Sequence, residues 1–332
     1  MKRFEHGGNV CGKNIRLDFS VNTNPLGLNE KIKEAAQAAA DKYGVYPDAE
    51  YADLKSAIAS YEGVSASNVA VSNGASEMIF TAVRAVMPKK ALLIAPTFSE
   101  YERALLSVGC EIDYYALKEE NDFEIGEDIL NVLDSYDMAF ICNPNNPTGR
   151  LCSGDILDKM AQSDCVCIAD ECFLDFTDGT SVKGKMPVIR AFTKTHAMAG
   201  LRLGYMIADT DYTEKINANL PAWNISAPAA AAGIAAADCR EYLTEAKRLI
   251  KTEREYLKTE LTRIGFQVFP SDANFLLIKG KEGIGEKLLP SGILIRKCDN
   301  FHTLDGHFYR IAVKTHTEND TLITHLSCET KY

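Results

Sequence analysis

No stretch of the chain approaches the roughly 20 consecutive apolar residues of a membrane-spanning helix, which argues against a helical membrane protein. The opening MKRFEHGGNV is basic but has no apolar core, so it is not expected to act as a secretory signal. Positive charge is in deficit: 36 Lys and Arg stand against 46 Asp and Glu, a formal net charge of −10. That balance argues against generic binding to nucleic acid or an anionic membrane. It leaves room for a small anionic substrate held by local cations. There is no CxxC, the CVC at 165–167 has no partner cluster for zinc, and no two histidines share metal-ligand spacing on one helix face. No metal is expected. Internal repeats and low-complexity linkers are also missing, although 229–237 is rich in alanine.

What is present is a chain of 332 residues, 46% hydrophobic and 25% charged, long enough for two domains or one large one. Ten cysteines, several inside apolar runs (Cys142, Cys165, Cys167), suit small reduced core residues and a cytoplasmic protein with free thiols. Short apolar runs at 68–72, 91–95, 138–142, 165–170, 187–192 and 203–208 alternate with helical segments. This predicts an α/β fold, with a mostly parallel sheet covered by helices on both faces. Beyond about residue 222 the texture changes to a long helical stretch, with a break expected near Gly233, and then to short strands typical of an α+β unit.

In open α/β sheets, functional groups gather beyond the carboxyl ends of the strands. After 68–72 comes NGASE, a glycine and small residues opening a helix, which suits an anion but also merely caps helices. After 91–95 comes PTFSEY, where Phe98 could lie against a planar ring or belong to the core. After 138–142 comes NPNNPTG, a rigid turn displaying amides. Asp170 ends the next run, where a carboxylate needs a cationic or N–H partner. Thr193 and Lys194 end the one after. A phosphate-type cap, an aromatic, an amide turn, a carboxylate and an amine together match the needs of pyridoxal 5'-phosphate. The amine forms a Schiff base, the carboxylate keeps the pyridine nitrogen protonated, and the cap holds the phosphate.

NPNNPTG, ADE and TKTHAMAGLRLGY, with Asp170 and Lys194 24 positions apart and Arg202 eight beyond, resemble the class I/II aminotransferase superfamily of fold type I. The resemblance implies a pyridoxal-phosphate-dependent transferase fold. Its large domain would span 41–222, and its small domain would join 1–40 to 223–332. It makes Lys194 the Schiff-base lysine and pairs Asp170 with the pyridine nitrogen. Asn146 would meet the phenolic oxygen, and Phe98 would stack on the ring. Gly74, Ala75, Ser76, Thr193 and Arg202 would hold the phosphate, and Tyr46 would reach the cofactor of a neighbouring subunit in a homodimer.

Within the superfamily, HGGN, DFSVNTNPLG, DECF, PAWNISA and GILIRKCDNF resemble most the threonine-phosphate decarboxylases of cobalamin biosynthesis, and next the histidinol-phosphate aminotransferases. The expected activity is decarboxylation of O-phospho-L-threonine or a close relative; the alternative is transamination of histidinol phosphate or an aromatic amino acid. The stretch between HGGN and DFS is about ten residues shorter than the group's pattern, Phe173 replaces a tyrosine, and Val45 replaces an arginine. Arg296 and Arg310 sit on apolar strands, where a guanidinium needs a partner. Structural ion pairing and substrate binding both explain them. The resemblance favours substrate, adding His6, Gly7 and Asn22, with Asn146 shared. His196 and His302 are taken as incidental.

Overall fold

The structure, a computed structural model, describes residues 4–330. The chain begins with β1 (Leu17–Asp18), α1 (Glu30–Ala38) and α2 (Ala52–Glu62). A seven-stranded sheet follows: β2 (Val69–Ser72), β3 (Lys90–Ala95), β4 (Glu111–Ala116), β5 (Met138–Cys142), β6 (Val166–Asp170), β7 (Val188–Ala191) and β8 (Gly204–Ile207). Between and after these strands lie α3 (Gly74–Val86), α4 (Ser99–Ser107), α5 (Gly154–Met160), α6 (Phe192–Thr195) and α7 (Thr210–Asn217). Helices α8 (Ala227–Ala237) and α9 (Arg240–Arg263) lead to β9 (Gln267–Val268), β10 (Phe275–Lys279) and α10 (Ile284–Leu288). The chain closes with β11 (Ile293–Leu294), β12 (Arg296–Lys297), β13 (Phe308–Ala312) and α11 (His316–Thr330).

The large sheet has the order β2-β8-β7-β6-β5-β3-β4, parallel except for β8, which runs against both neighbours. Strands β2, β5 and β8 are buried at every position because apolar clusters cover both faces. The reversal of β8 has a functional effect. It brings the residues before this strand, including Arg202, to the edge where the parallel strands end. Strand β4 was not expected from the sequence. Its EIDYYA is half exposed at the sheet edge and lacks the apolar run of a central strand.

A second sheet, β12-β13-β10-β9, is antiparallel, and β1 pairs in parallel with β11, tying the N-terminal segment to the C-terminal part. Helix α8 instead shares a core with α1, α2 and the β2–β8 edge, through Ile32, Leu54, Val69, Leu203 and Ala229. Helix α9 spans both regions, with Ile250 in the main core and Leu257 and Leu261 in the C-terminal one. The expected break near Gly233 lies instead at Asp238–Cys239. Gly233 is helical and packs closely on Leu203 and Leu54, where a β-carbon would come within 2.3 Å of a Leu203 methyl. Alanines on either side keep the helix intact, so the glycine serves close approach rather than a break.

Candidate active site

At the carboxyl edge of the large sheet lies a cavity of about 240 Å³. His6, Gly7, Asn22, Ala75, Ser76, Phe98, Asn146, Asp170, Thr193, Lys194, Arg202, Arg296 and Arg310 all line it, so residues from 6 to 310 converge on one space. Gly74 stands behind Arg202: it takes φ +76°, and a β-carbon there would lie 2.4 Å from the guanidinium. Tyr46 is not brought in. It is 77% exposed and its ring lies 4.6 Å from that of Trp223. A larger cavity of about 560 Å³ opens beside the first and shares His6, Gly7, Ser20, Arg296 and Phe301 with it, but the lysine and the carboxylate face only the smaller one.

The turn 143–149 separates structural from displayed amides. Asn143 Oδ1 accepts from the Cys152 N–H at 2.9 Å, and Asn145 Nδ2 donates to the Pro96 carbonyl at 2.9 Å. Asn146 alone of the three lines the cavity, and its Oδ1 accepts from Arg310 Nη1 at 2.5 Å, which leaves the donor end of the amide for the cavity. Arg310 Nη2 donates to the Ser20 carbonyl at 2.6 Å, and its buried Nε has no partner among the described residues. Arg296 donates to the Lys297 and Glu5 carbonyls and to Asn300 Oδ1. His6 Nε2 lies 2.8 Å from Glu100 Oε1, an arrangement that places a buried carboxylate behind a cavity-facing imidazole. Gly7 has to be glycine here, since a β-carbon would overlap the Ser20 carbonyl at 2.1 Å.

Lys194 sits on the short helix α6, and its carbonyl accepts from the Asn24 N–H at 3.0 Å, so the N-terminal segment braces it. Burial first, and then the positive charges of Arg310 and Arg202, push its ammonium down to about 8. Burial, followed by the Arg296 charge, likewise lowers Arg310 to about 10. Asp170 is pushed above the usual carboxylate range by burial, against neutral donors: the Cys172 thiol, Tyr101 Oη at 2.7 Å and the Cys172 N–H at 3.0 Å. His196 is fully buried on Thr195, and His302 stacks on Tyr114.

Tyr101, Cys172, Cys142, Ser20 and Glu100 join the site without having been anticipated. Tyr101 follows Phe98 by three positions, with Phe98 capping α4 and Tyr101 in its first turn, and that spacing was readable. Ser20 acts through its backbone carbonyl, which carries no sequence signal.

The residues fit pyridoxal phosphate. Asp170 is a buried carboxylate with no ion-pair partner among the described residues, Phe98 offers a flat face, and Asn146 offers an amide. Beside the start of the 13-residue helix α3 stand Thr193 and Arg202. Residues 14–326 match the family "Aminotransferase class I and II". The chain is a member of that family. Like its other members it is a pyridoxal-phosphate-dependent enzyme of the type I aminotransferase fold. Threonine-phosphate decarboxylase of Salmonella typhimurium is 33% identical over 97% of this chain and 95% of its own. A protein of Caldanaerobacter subterraneus subsp. tengcongensis, assigned provisionally to the same activity, is 37% identical over 97% of this chain and 93% of its own. The crystal structure of histidinol-phosphate aminotransferase from Clostridium acetobutylicum superposes with a TM-score of 0.88 at 32% identity, covering 95% of this chain and 99% of that one.

Proposed function

We propose that the protein decarboxylates O-phospho-L-threonine, or a closely related phosphorylated amino acid, to an amino-alcohol phosphate, in the manner of the enzymes of cobalamin biosynthesis. The observation that carries this reading is the pair Arg296 and Arg310, both buried and both facing the cavity that holds Lys194 and Asp170. A substrate with a carboxylate and a phosphate carries two anionic groups, and planar guanidinium forks suit both. The relatives named as threonine-phosphate decarboxylases support the choice.

Bound pyridoxal phosphate supplies an aldehyde that holds the substrate amine and a ring that accepts the electron pair of the bond broken at Cα. Lys194 Nζ would hold the aldehyde in the substrate-free protein. Asp170 would hold the pyridine nitrogen, Asn146 the phenolic oxygen and Phe98 the ring face. Gly74, Ala75, Ser76, Thr193 and Arg202 would hold the phosphate. Arg296, Arg310, His6, Gly7 and Asn22 would orient the substrate so that its carboxylate is the group lost. Lys194 then delivers the proton that replaces the lost CO₂ at Cα.

Tyr46 acts in the cavity of a second copy. Its exposure, together with Tyr43, Val45 and Trp223 (each at least 47% exposed), supports a homodimer with shared sites. We place the protein in the cytoplasm. Among the described residues no helix is long and apolar enough to cross a membrane.

The same residues would serve transamination if the Cα–H bond stood perpendicular instead, with Lys194 Nζ taking that proton. The likeness to the Clostridium aminotransferase favours this second reading. Incubation of the cofactor-loaded protein with O-phospho-L-threonine tests the first, and CO₂ release is the expected result. No CO₂, with turnover of histidinol phosphate that depends on 2-oxoglutarate, would overturn it.

A second measurement reads Lys194 directly. Only the free amine attacks an aldehyde, so the rate of cofactor uptake by cofactor-free protein should rise about tenfold from pH 7 to 9 and then level. An amine with an ordinary lysine pKa would gain about a hundredfold over that interval and keep rising. Stopped-flow absorbance distinguishes the two profiles.

A further inference from the structure

Tyr101 is fully buried, yet its hydroxyl reaches the cavity. A buried phenol must find an acceptor, and many would serve. This one donates to Asp170 Oδ2 at 2.7 Å, while the other carboxylate oxygen takes the Cys172 N–H at 3.0 Å. The ring is clamped on two sides. It lies flat on Phe140, with centroids 4.8 Å apart and planes 8° apart, and edge-on to Phe98 at 5.7 Å and 83°. Phe98 and Asp170 belong to different strand ends, β3 and β6, with β5 between them. Tyr101 touches both.

We propose that Tyr101 is the positioning residue for the cofactor ring, fixing Asp170 through its hydroxyl and bracing Phe98 through its edge. The inference rests on the reading of the cavity as a pyridoxal phosphate site. Its chemistry follows from burial. Without donors, a carboxylate this deep takes up a proton, and a neutral carboxyl cannot keep a pyridine nitrogen protonated. The Tyr101 hydroxyl stabilises the ionised form and aims one oxygen. Burial pushes the phenol itself well above its ordinary range, so it remains an O–H donor across the working pH. The hydroxyl therefore shares with the Cys172 donors in holding the charge that faces the ring, and the aromatic edge braces the flat face beside it.

Tyr101→Phe keeps the ring and removes only the hydroxyl. In cofactor-free protein with isotope-labelled aspartate carboxyls, the Asp170 resonance, identified by its loss in Asp170→Asn, is expected to titrate at higher pH in the variant. With labelled pyridoxal phosphate, the variant is expected to bind about tenfold more weakly, the worth of one hydrogen bond to a charged group. Its ring-nitrogen signal moves toward the unprotonated position, kcat falls while KM barely changes, and the unfolding midpoint stays within a few degrees of the parent's. An Asp170 titration that the substitution leaves in place overturns the proposal. A shifted titration with unchanged cofactor affinity and ring-nitrogen signal overturns it equally. A parent chain that takes up no pyridoxal phosphate sinks the cofactor reading and this inference with it, and that result is seen before any substitution is made.

Discussion

Lys194→Ala will lower turnover of the phosphorylated substrate by about 10⁴-fold or more while leaving the fold intact. The lysine is asked to do two things, to present a nucleophile to the aldehyde and to carry a proton at Cα. Proton transfer by a positioned group alone contributes up to about 10⁴-fold. Among the described residues no other amine lines the smaller cavity, so none of them can take over its role. The fold should survive, because Lys194 carries a buried ammonium whose pKa burial has lowered, a cost to the cofactor-free protein rather than a support. The measurements are CO₂ release and thermal unfolding. A variant that retains a tenth of the parent's turnover would remove Lys194 from the mechanism. A variant that unfolds well below the parent would show its role to be structural.

Arg190→Met is expected to cost about 3–5 kcal/mol of stability, the usual range when one partner of a buried ion cluster is removed. Arg190 is 6% exposed and is surrounded by three carboxylates: Glu62 at 3.1 Å, Glu171 at 3.1 Å and Asp175 at 2.9 Å. Those groups are otherwise well satisfied. Glu62 accepts from Tyr205 Oη at 2.6 Å and Lys183 Nζ at 2.9 Å, Glu171 from Ser181 Oγ at 2.6 Å, and Asp175 from Tyr61 Oη at 3.1 Å. Burial opposes the ionisation of Glu62, but Arg190, Tyr205 and Lys183 outweigh it and hold its carboxyl below the usual range. Glu171 is pushed up by burial in spite of Arg190. Methionine fills the volume of the arginine stem, so the loss measures charge rather than packing. Urea denaturation checks the figure, and a loss under about 1 kcal/mol would show that the cluster contributes little. The cluster also matters to the site: Glu171 follows Asp170 directly, and Arg190 lies four residues before Lys194, so it ties the end of β6, which carries Asp170, to the end of β7, which leads into Lys194.

The strands of the large sheet were legible because burial on both faces writes itself as short apolar runs, and their order in the chain was enough to place five functional groups after five strand ends. Strand β4 escaped because an edge strand is only half buried and leaves no such run. The alanine-rich stretch misled in the other direction. Gly233 weakens a helix in isolation, but a helix packed on Leu203 and Leu54 needs the absence of a side chain there. Arg202 was identified by resemblance alone, since it precedes its strand. The antiparallel direction of β8 is what returns it to the cavity edge.

The three arginines in apolar strands show where sequence stops. A guanidinium in RAF, IRK or YRI must find a partner, and the amino-acid order by itself determined that each one would. It could not determine which partner. Arg190 meets Glu62, 128 positions away, and becomes part of a buried ion cluster. Arg310 donates to an amide oxygen and a backbone carbonyl, lies over the Phe275 ring, and keeps an Nε without a hydrogen-bond partner among the described residues beside the cavity. The need for a counterpart is local, a matter of desolvation. Its identity depends on which distant strands and helices the fold brings within about 3 Å, so the tertiary structure alone separates an arginine that supports the sheet from one available to a ligand.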